Sequence, residues 1–324
     1  GASLAPRSRF HGIIPPLVTP LAAADTLDRD GLAGLIEHVL AGGVHGLFLL
    51  GTCGEGPAIS GRLQRELVAE AVSLVAGRVP VLVGITDAAP AESVNLAEFA
   101  AEAGADAVVA AAPYYFPAAE EPLTRWALEL ADRSPLPLVL YNMPEMTKVV
   151  LPPAMLERLA GCERIVGLKD SSGDLGYFAA AVASVAEQRP DWSLLVGPEQ
   201  LLPEAMAVGG HGGVPGGANV WPRLFVELYE ATRAADAAAV AAARARVQAV
   251  SRLYRIGKLP GGIIVGIKAA LAARGICRSV TAGPFETLDA QQHRQVAELI
   301  DELAAEASPA AADPGRRLPR SGEA

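Results

Sequence analysis

IVGLKDSSGD, residues 165–174, is the stretch of this chain that says most about how it folds. Its first four residues form a continuous apolar run, which is typical of a strand buried on both faces. The run ends at Lys169, a Ser-Ser-Gly-Asp turn follows, and helical spacing resumes over about 173–188. A buried strand, a turn and a helix together form the repeating unit of a parallel α/β sheet.

The same unit recurs along most of the chain. Apolar runs predict eight strands: Ile13–Thr19, Gly46–Leu50, Val81–Gly84, Ala107–Ala111, Leu138–Tyr141, Ile165–Leu168, Leu194–Val196 and Gly212–Val214. Helical spacing between them predicts helices at about 29–42, 60–77, 90–103, 121–133, 152–160, 173–188, 199–208 and 221–234. We therefore predict an α/β fold, a (β/α)8 TIM barrel over residues 10–234. A doubly wound open sheet is the alternative, but no G-x-G-x-x-G follows the first strand.

Beyond residue 234 the pattern changes, and residues 235–307 contain no convincing strand. Apolar spacing predicts three helices there, at Ala237–Leu253, Gly262–Arg274 and Ala290–Ala305. We interpret this segment as a helical C-terminal extension packed on the barrel. The last segment, 308–324, is rich in Pro, Ala and charged residues, so we expect a disordered tail.

Composition argues against several classes of function. The 324 residues are 51% hydrophobic and 19% charged, which allows a sizeable core. A net charge of -9 argues against nucleic acid or an anionic membrane as a partner. No apolar run approaches the ~18 to 20 residues needed to span a bilayer. The three cysteines have neither metal-ligand nor disulfide-framework spacing, which favours the reducing cytoplasm.

Active sites of TIM barrels lie at the carboxyl ends of the strands, so polar residues there are the candidates. Lys169 ends the sixth predicted strand. Desolvation lowers the pKa of a lysine, which can then attack a carbonyl carbon as a neutral amine. The alternative is that Lys169 reaches water or pairs with Asp170. Tyr141 ends the neighbouring strand, where it either fills the barrel end or transfers protons.

Further candidates lie in the loops after other strands. Thr52 belongs to GTCGEGP, 51–57, a Gly-rich turn whose backbone amides suit a carboxylate. The Tyr114-Tyr115 pair in a Pro-bracketed loop suits packing or an interface more than catalysis. His211 lies in GGHGG, but no two histidines have metal-ligand spacing, so a loop or packing role is favoured.

Taken together, six motifs in this order resemble the dihydrodipicolinate synthase / N-acetylneuraminate lyase family, the class I pyruvate-dependent aldolases and lyases. The resemblance runs from about Gly12 to about Ile300. The motifs are P-x-V-T-P near 16–20, GTCGE at 51–55, PYY at 113–115, YNMP at 141–144, GLKDSSGD at 167–174 and GGHGGVPGGAN at 209–219.

The resemblance implies roles for four catalytic residues. Lys169 is implied to be the Schiff-base lysine, and Tyr141 the tyrosine that takes and returns protons. Thr52 is implied to link Tyr141 to Tyr115, a second tyrosine that in many members reaches across a dimer interface. The usual assembly is a homotetramer made of two tight dimers.

The resemblance also implies a 2-keto acid substrate, pyruvate or longer, whose carboxylate sits on the turn at Thr52 and Cys53. No metal and no organic cofactor are required, because the lysine iminium itself acts as the electron sink. The predicted substrate-binding residues are Thr52, Cys53, Gly54, Met146, Glu199 and Val214.

The match to the lysine-biosynthetic members is incomplete at Met146. Those synthases usually carry an arginine here, and it binds the carboxylate of the aldehyde partner. We therefore expect an aldolase or lyase that acts on a 2-keto-3-deoxy sugar acid or a related 4-hydroxy-2-keto acid, releasing or using pyruvate. The alternatives are a dehydratase of such acids, a 4-hydroxy-tetrahydrodipicolinate synthase, and a non-catalytic homologue that binds keto acids.

Overall fold

The structure is a computed structural model that describes residues 10–307. The strands in this range are β1 (Gly12–Ile13), β2 (Leu21–Ala23), β3 (Thr26–Leu27), β4 (Leu47–Leu49), β5 (Val81–Gly84), β6 (Ala107–Ala111), β7 (Leu138–Asn142), β8 (Ile165–Asp170), β9 (Ser193–Val196) and β10 (Gly212–Gly213). Eight of these described strands form one parallel sheet in the spatial order β1-β10-β9-β8-β7-β6-β5-β4, and a short hairpin forms a second sheet, β2-β3.

The two edges of the eight-stranded sheet approach each other. Pro16, just beyond β1, forms a parallel bridge with Phe48 of β4. The Leu17 N–H donates to the Phe48 carbonyl at 2.8 Å, and the Phe48 N–H donates to the Pro15 carbonyl at 3.0 Å. The sheet is therefore curled, in an arrangement consistent with a TIM barrel.

Helices follow the strands and bury one side against the sheet. In the helix Gly61–Val75 the buried positions are Leu63, Leu67, Val68, Ala71 and Val75. This spacing of three and four residues is that of an amphipathic helix. The helices are α1 (Arg29–Ala41), α2 (Gly61–Val75), α3 (Pro90–Ala103), α4 (Glu120–Arg133), α5 (Pro144–Thr147), α6 (Pro153–Leu159), α7 (Leu175–Val185), α8 (Leu202–Ala207), α9 (Pro222–Arg233), α10 (Ala237–Val250), α11 (Gly262–Ala273) and α12 (Ala290–Ala307).

Several element bounds differ from those predicted. The first strand was expected to reach Thr19, but its ladder ends at Ile13 because the prolines at 15 and 16 have no N–H to donate. The predicted helix at 199–208 is a 3-10 turn, Glu199–Leu201, followed by α8. The β2-β3 hairpin and the single-turn helix α5 were not predicted.

Buried apolar residues form two clusters on opposite faces of the strands. In β7, Leu138 and Leu140 belong to the large cluster with the helices, whereas Val139 and Tyr141 belong to a small cluster. The small cluster also takes residues from β4, β5, β6, β8 and β9, so the sheet wraps around it. Because side chains alternate along a strand, Tyr141 lies on the enclosed face.

A β-bulge determines the direction in which Lys169 points. Val166 is an extra residue on β8, and the register with β7 shifts by one there. Beyond the bulge, Tyr141 pairs with Lys169 and Asn142 pairs with Asp170. Since a shift of one residue exchanges the two faces of a strand, the bulge brings Lys169 to the same face as Tyr141.

The segment after α9 is helical, with α10, a 3-10 segment at Ser251–Arg255, α11 and α12. Helix α11 is buried from Ile264 to Leu271 and packs against the 3-10 turn Gly216–Asn219, which follows β10. The C-terminal helices therefore reach the carboxyl end of the sheet. The domain boundary at 234/235 stays a prediction, and the predicted tail, 308–324, lies outside the described residues. In the described part of the chain no helix is long and apolar enough to cross a bilayer.

Candidate active site

Lys169 is a buried lysine surrounded by aromatic rings. Its Nζ atom lies 4.0 Å from the ring centroid of Tyr141 and 4.8 Å from that of Phe48. Only 5% of the residue is exposed. Within residues 10–307 the Lys169 ammonium donates no hydrogen bond and joins no ion pair. An amine withdrawn from water and without a carboxylate partner suits attack on a carbonyl carbon.

Asp170, the next residue, does not pair with Lys169. Its carboxylate accepts from the Asn142 side-chain amide at 2.8 Å and from the Ser172 hydroxyl at 2.9 Å. Burial raises the pKa of Asp170 above its usual range, although these hydrogen bonds oppose the rise. Alternation along β8 separates the two side chains, so the alternative of a Lys169–Asp170 pair is not what the structure holds.

Tyr141 connects Lys169 to the loop after β4. The Tyr141 hydroxyl lies 3.2 Å from the Thr52 Oγ1 atom, and either group could be the donor. The Tyr141 ring packs edge-on against Phe48, with centroids 6.4 Å apart. The Lys169 amine thus faces the Tyr141 ring, and the Tyr141 hydroxyl meets Thr52. The two hydroxyl groups can pass a proton between them at the carboxyl ends of the strands.

The turn at 51–56 provides backbone donors beside these hydroxyl groups. It is closed by hydrogen bonds from the Glu55 N–H to the Thr52 carbonyl, 3.0 Å, and from the Gly56 N–H to the Gly51 carbonyl, 3.2 Å. In the described chain, the N–H groups of residues 52–54 donate to no protein acceptor. Successive free N–H groups in a turn form an anion-binding concavity, which suits the carboxylate of a keto acid.

The surroundings limit the side chain that fits at position 54 and the reactivity of the Cys53 thiol. A Cβ at Gly54 would lie 2.9 Å from the Leu17 carbonyl oxygen, so only glycine fits there without movement of the backbone. Cys53 is buried, and burial raises the pKa of its thiol to about 11. The thiol therefore stays protonated near neutral pH and is a poor nucleophile.

Glu199 and Val214 are buried close to the carboxyl end of the sheet. Glu199 accepts from the Tyr254 hydroxyl at 2.7 Å and from the Gly217 N–H at 3.0 Å, so both carboxylate oxygens are engaged within the chain. Burial raises the pKa of Glu199 to about 7. Val214 packs in the small cluster that contains Tyr141.

Two predicted site residues are not brought to the others in the single chain. Tyr115 is 84% exposed, and its ring packs edge-on against Phe116, itself 78% exposed. The backbone of Tyr115 is left-handed, with φ of 80°, which is unfavourable for a residue other than glycine. Met146 lies on α5 and is 53% exposed.

An ion pair that was not predicted from the sequence supports the turn at 51–56. Glu55 and Lys268 of α11 form a salt bridge, and both side chains are fully buried. A lysine in the middle of the apolar run GIIVGIKAAL, 262–271, was a signal that could have been followed, since a buried charge requires a partner. Its partner could not be identified from the sequence.

Two histidines, His45 and His211, lie at the opposite, amino-terminal ends of the strands. The Ile13 N–H donates to His45 Nδ1, and the Leu194 N–H donates to His211 Nδ1, both at 3.0 Å. Burial lowers the pKa of both imidazoles. His211 lies in the loop just before β10, in agreement with the favoured loop or packing role. Among the described residues, no group of three or more His, Cys, Asp or Glu is arranged to hold a metal ion.

A curled parallel sheet with a buried lysine at the carboxyl end of one strand is consistent with the architecture of TIM-barrel proteins. The family model described as the dihydrodipicolinate synthetase family matches residues 9–303, and the chain belongs to this family. The resemblance inferred from the six motifs is thereby confirmed.

Relatives in this family are described as aldolases and synthases, which places the chain in a family of enzymes. The "Probable 2-dehydro-3-deoxy-D-pentonate aldolase YjhH" of Escherichia coli K12 is 35% identical over 249 residues, 76% of this chain and 83% of that protein. The crystal structure of YagE from E. coli K12, a prophage protein in complex with pyruvate, has 30% identity and a TM-score of 0.86 and covers 92% and 99% of the two chains.

One further solved structure is reported as dihydrodipicolinate synthase from Bacteroides thetaiotaomicron. It is 43% identical to this chain, with a TM-score of 0.88, and covers 91% of this chain and 99% of that one. The relatives therefore agree on the family and the fold but carry different reaction names.

Proposed function

We propose that this protein is a class I aldolase or lyase in which Lys169 forms a Schiff base with a 2-keto acid. The observation that carries the proposal is the buried Lys169 amine, which has no carboxylate partner and lies 4.0 Å from the Tyr141 ring centroid. The pyruvate bound to the relative YagE supports a keto-acid substrate. The proposed overall reaction cleaves or forms a C–C bond in a 2-keto-3-deoxy sugar acid or a related 4-hydroxy-2-keto acid.

The reaction begins when the Lys169 amine adds to the C2 ketone and forms a carbinolamine. Tyr141 gives its phenol proton to the carbinolamine hydroxyl, which leaves as water and gives an iminium that withdraws electrons from C3. In cleavage the C3–C4 bond breaks, its electron pair moves into the enamine, and the proton of the C4 hydroxyl passes to Tyr141. Protonation of the enamine at C3, followed by hydrolysis, releases pyruvate and the free lysine.

The keto-acid carboxylate binds the turn at residues 52–54 in this proposal. The free N–H groups of the turn supply neutral donors, which pair with an anion without adding a second buried charge. The Thr52 hydroxyl, 3.2 Å from the Tyr141 hydroxyl, orients the phenol and passes protons to it. Val214 lines the apolar side of the substrate site.

Met146 favours sugar-acid substrates over aspartate semialdehyde, because methionine supplies neither charge nor donor for a second carboxylate. The relative described as a pentonate aldolase supports this choice. A second candidate is 4-hydroxy-tetrahydrodipicolinate synthase, which the 43% identity to the Bacteroides synthase favours. A dehydratase of the same acids shares the iminium and differs only in the bond that breaks.

In the proposed assembly, a homotetramer of two tight dimers, Tyr115 enters the site of a neighbouring subunit. The exposed Tyr115 and Phe116 rings give this surface the aromatic character common at protein interfaces. We take the curled sheet to be a closed (β/α)8 barrel, since the Leu17–Phe48 backbone bond joins its edges. A cytoplasmic location keeps the three free cysteines reduced.

A panel of 2-keto acids tests this proposal. Each acid is incubated with the protein and borohydride, the adduct is read by intact mass, and the products formed without borohydride are identified. We expect a reduced adduct with pyruvate and cleavage of at least one 4-hydroxy-2-keto acid. An adduct with pyruvate but product only with aspartate semialdehyde would support the synthase, and the absence of any adduct would refute the Schiff-base mechanism.

A further inference from the structure

The carboxylate of Glu55 is held by α11 and the loop that follows it rather than by the sheet. Lys268 donates to Glu55 Oε2 and, at 2.7 Å, to the Val280 carbonyl. The Ala282 N–H donates to Glu55 Oε1 at 2.8 Å. Neither the Glu55 nor the Lys268 side chain is exposed, so the ion pair is shielded from water.

Glu55 is also part of the turn that carries the free N–H groups. Its own N–H donates to the Thr52 carbonyl at 3.0 Å, and the Thr52 hydroxyl contacts Tyr141. A continuous set of contacts therefore runs from α11 through Glu55 and Thr52 to the tyrosine. A shift of Glu55 would move the turn relative to Tyr141 and Lys169.

The backbone at Glu55 needs such a constraint. Its φ is 56°, a left-handed conformation that is unfavourable for a non-glycine residue and persists only when the surroundings fix it. Gly54 and Gly56 on either side approach other backbone atoms too closely for a Cβ. Among residues 54–56 only Glu55 has a side chain, and through it α11 and the following loop fix this part of the turn.

Stability alone does not account for this ion pair. Burying two charges costs desolvation energy that their attraction only partly offsets, and an apolar pair of similar volume is often as stable. Burial lowers the pKa of Lys268, whereas Glu55 opposes that effect. An ion pair that fixes the backbone of a turn at a cost in stability is expected where the conformation of that turn serves a function.

We infer that Glu55 and Lys268 are positioning residues for the keto-acid carboxylate: the ion pair ties α11 to the 52–55 turn and keeps its N–H groups in place for binding. This inference rests on the proposed function, because it concerns the same substrate site. Neither residue touches the substrate; both act through the backbone of the turn.

The test compares Lys268→Met and Glu55→Gln with the wild type. Pyruvate is titrated against a fixed borohydride pulse, and the half-saturating concentration and the maximal trapping rate are measured separately. We expect the half-saturating concentration to rise about tenfold or more in each variant, while the rate at saturation changes less than about threefold, because uniform ground-state binding is lost. Should Lys268→Met fail to fold, Glu55→Gln, which keeps an acceptor for Ala282, gives the answer.

Arg189→Met is the matched control, since it breaks the partly buried Arg189–Asp191 pair ahead of β9, at the other end of the sheet. It should lower the melting temperature without changing half-saturation by pyruvate. Wild-type half-saturation in folded Lys268→Met or Glu55→Gln would overturn the inference and leave the proposed function intact. Absence of trapping in the wild type would refute the proposed function, and with it the inference.

Discussion

Replacing Glu199 by Gln should change the way the stability of the protein depends on pH. Burial raises the pKa of Glu199 from 4.5 to about 7. In the unfolded chain the carboxyl group therefore ionises near pH 4.5, whereas in the folded chain it keeps its proton up to about pH 7. The contribution of the protonated acid is fully present below pH 4.5 and is lost as the pH rises through about 7.

The magnitude follows from the difference between the two pKa values. About 7 minus 4.5 is 2.5 pH units, and at ~1.36 kcal/mol per unit this gives at most ~3 kcal/mol. Glutamine stays neutral at every pH and avoids this loss. It accepts from Tyr254 but leaves the Gly217 N–H without an acceptor, which costs about 1 kcal/mol at all pH values.

Urea denaturation at pH 5 and pH 8.5 measures the effect, with the protein concentration held constant. The free energy of unfolding of Glu199→Gln, relative to the wild type, should rise by ~2 to 3 kcal/mol between the two pH values. Glu298→Gln, a change at an exposed position on α12, is the matched control and should show a constant difference. A pH-independent difference for Glu199→Gln, or one of opposite sign, would refute the assignment of a neutral buried acid.

Three further outcomes are expected. Tyr141→Phe, which removes the hydroxyl next to Thr52, should lower kcat on the order of 10²-fold in a pyruvate-release assay; an unchanged kcat would remove Tyr141 from the proton path. Iodoacetamide at pH 8 should alkylate the partly exposed Cys162 well before Cys53, whose pKa is raised to about 11 by burial; peptide mass mapping that found Cys53 labelled first would contradict this. Met146→Arg should raise kcat/KM for condensation of pyruvate with aspartate semialdehyde about tenfold or more in a coupled reductase assay, because a charge-assisted hydrogen bond is worth ~1.5 to 3 kcal/mol; no gain would separate Met146 from substrate choice.

The alternation of strands and helices could be predicted from the sequence because it depends on local apolar spacing. Runs such as Val81–Gly84 and Ala107–Ala111 are observed with the predicted bounds. The first strand was predicted too long because two consecutive prolines end its ladder. Long-range backbone pairing, as between Leu17 and Phe48, leaves no local signal.

The candidate site was predictable where the motif and the strand end coincide, as at Lys169 and Tyr141. The face on which Lys169 lies depends on the bulge at Val166, which apolar spacing does not reveal. The Glu55–Lys268 pair joins residues 213 positions apart, and no sequence pattern selects that partner. The hydrogen bonds from Gly217 and Tyr254 to Glu199 likewise depend on the tertiary structure, and the sequence does not reveal them.

The most direct test of the account is to locate the covalent adduct. Wild-type protein is incubated with pyruvate and borohydride, digested, and mapped by tandem mass spectrometry beside Lys169→Ala and Lys169→Arg. The account predicts a reduced pyruvyl group on Lys169 alone and neither adduct nor turnover in the two variants, since a guanidinium stays protonated and cannot replace the amine. An adduct on Lys148, Lys258 or Lys268, or adduct formation that survives in Lys169→Ala, would contradict it.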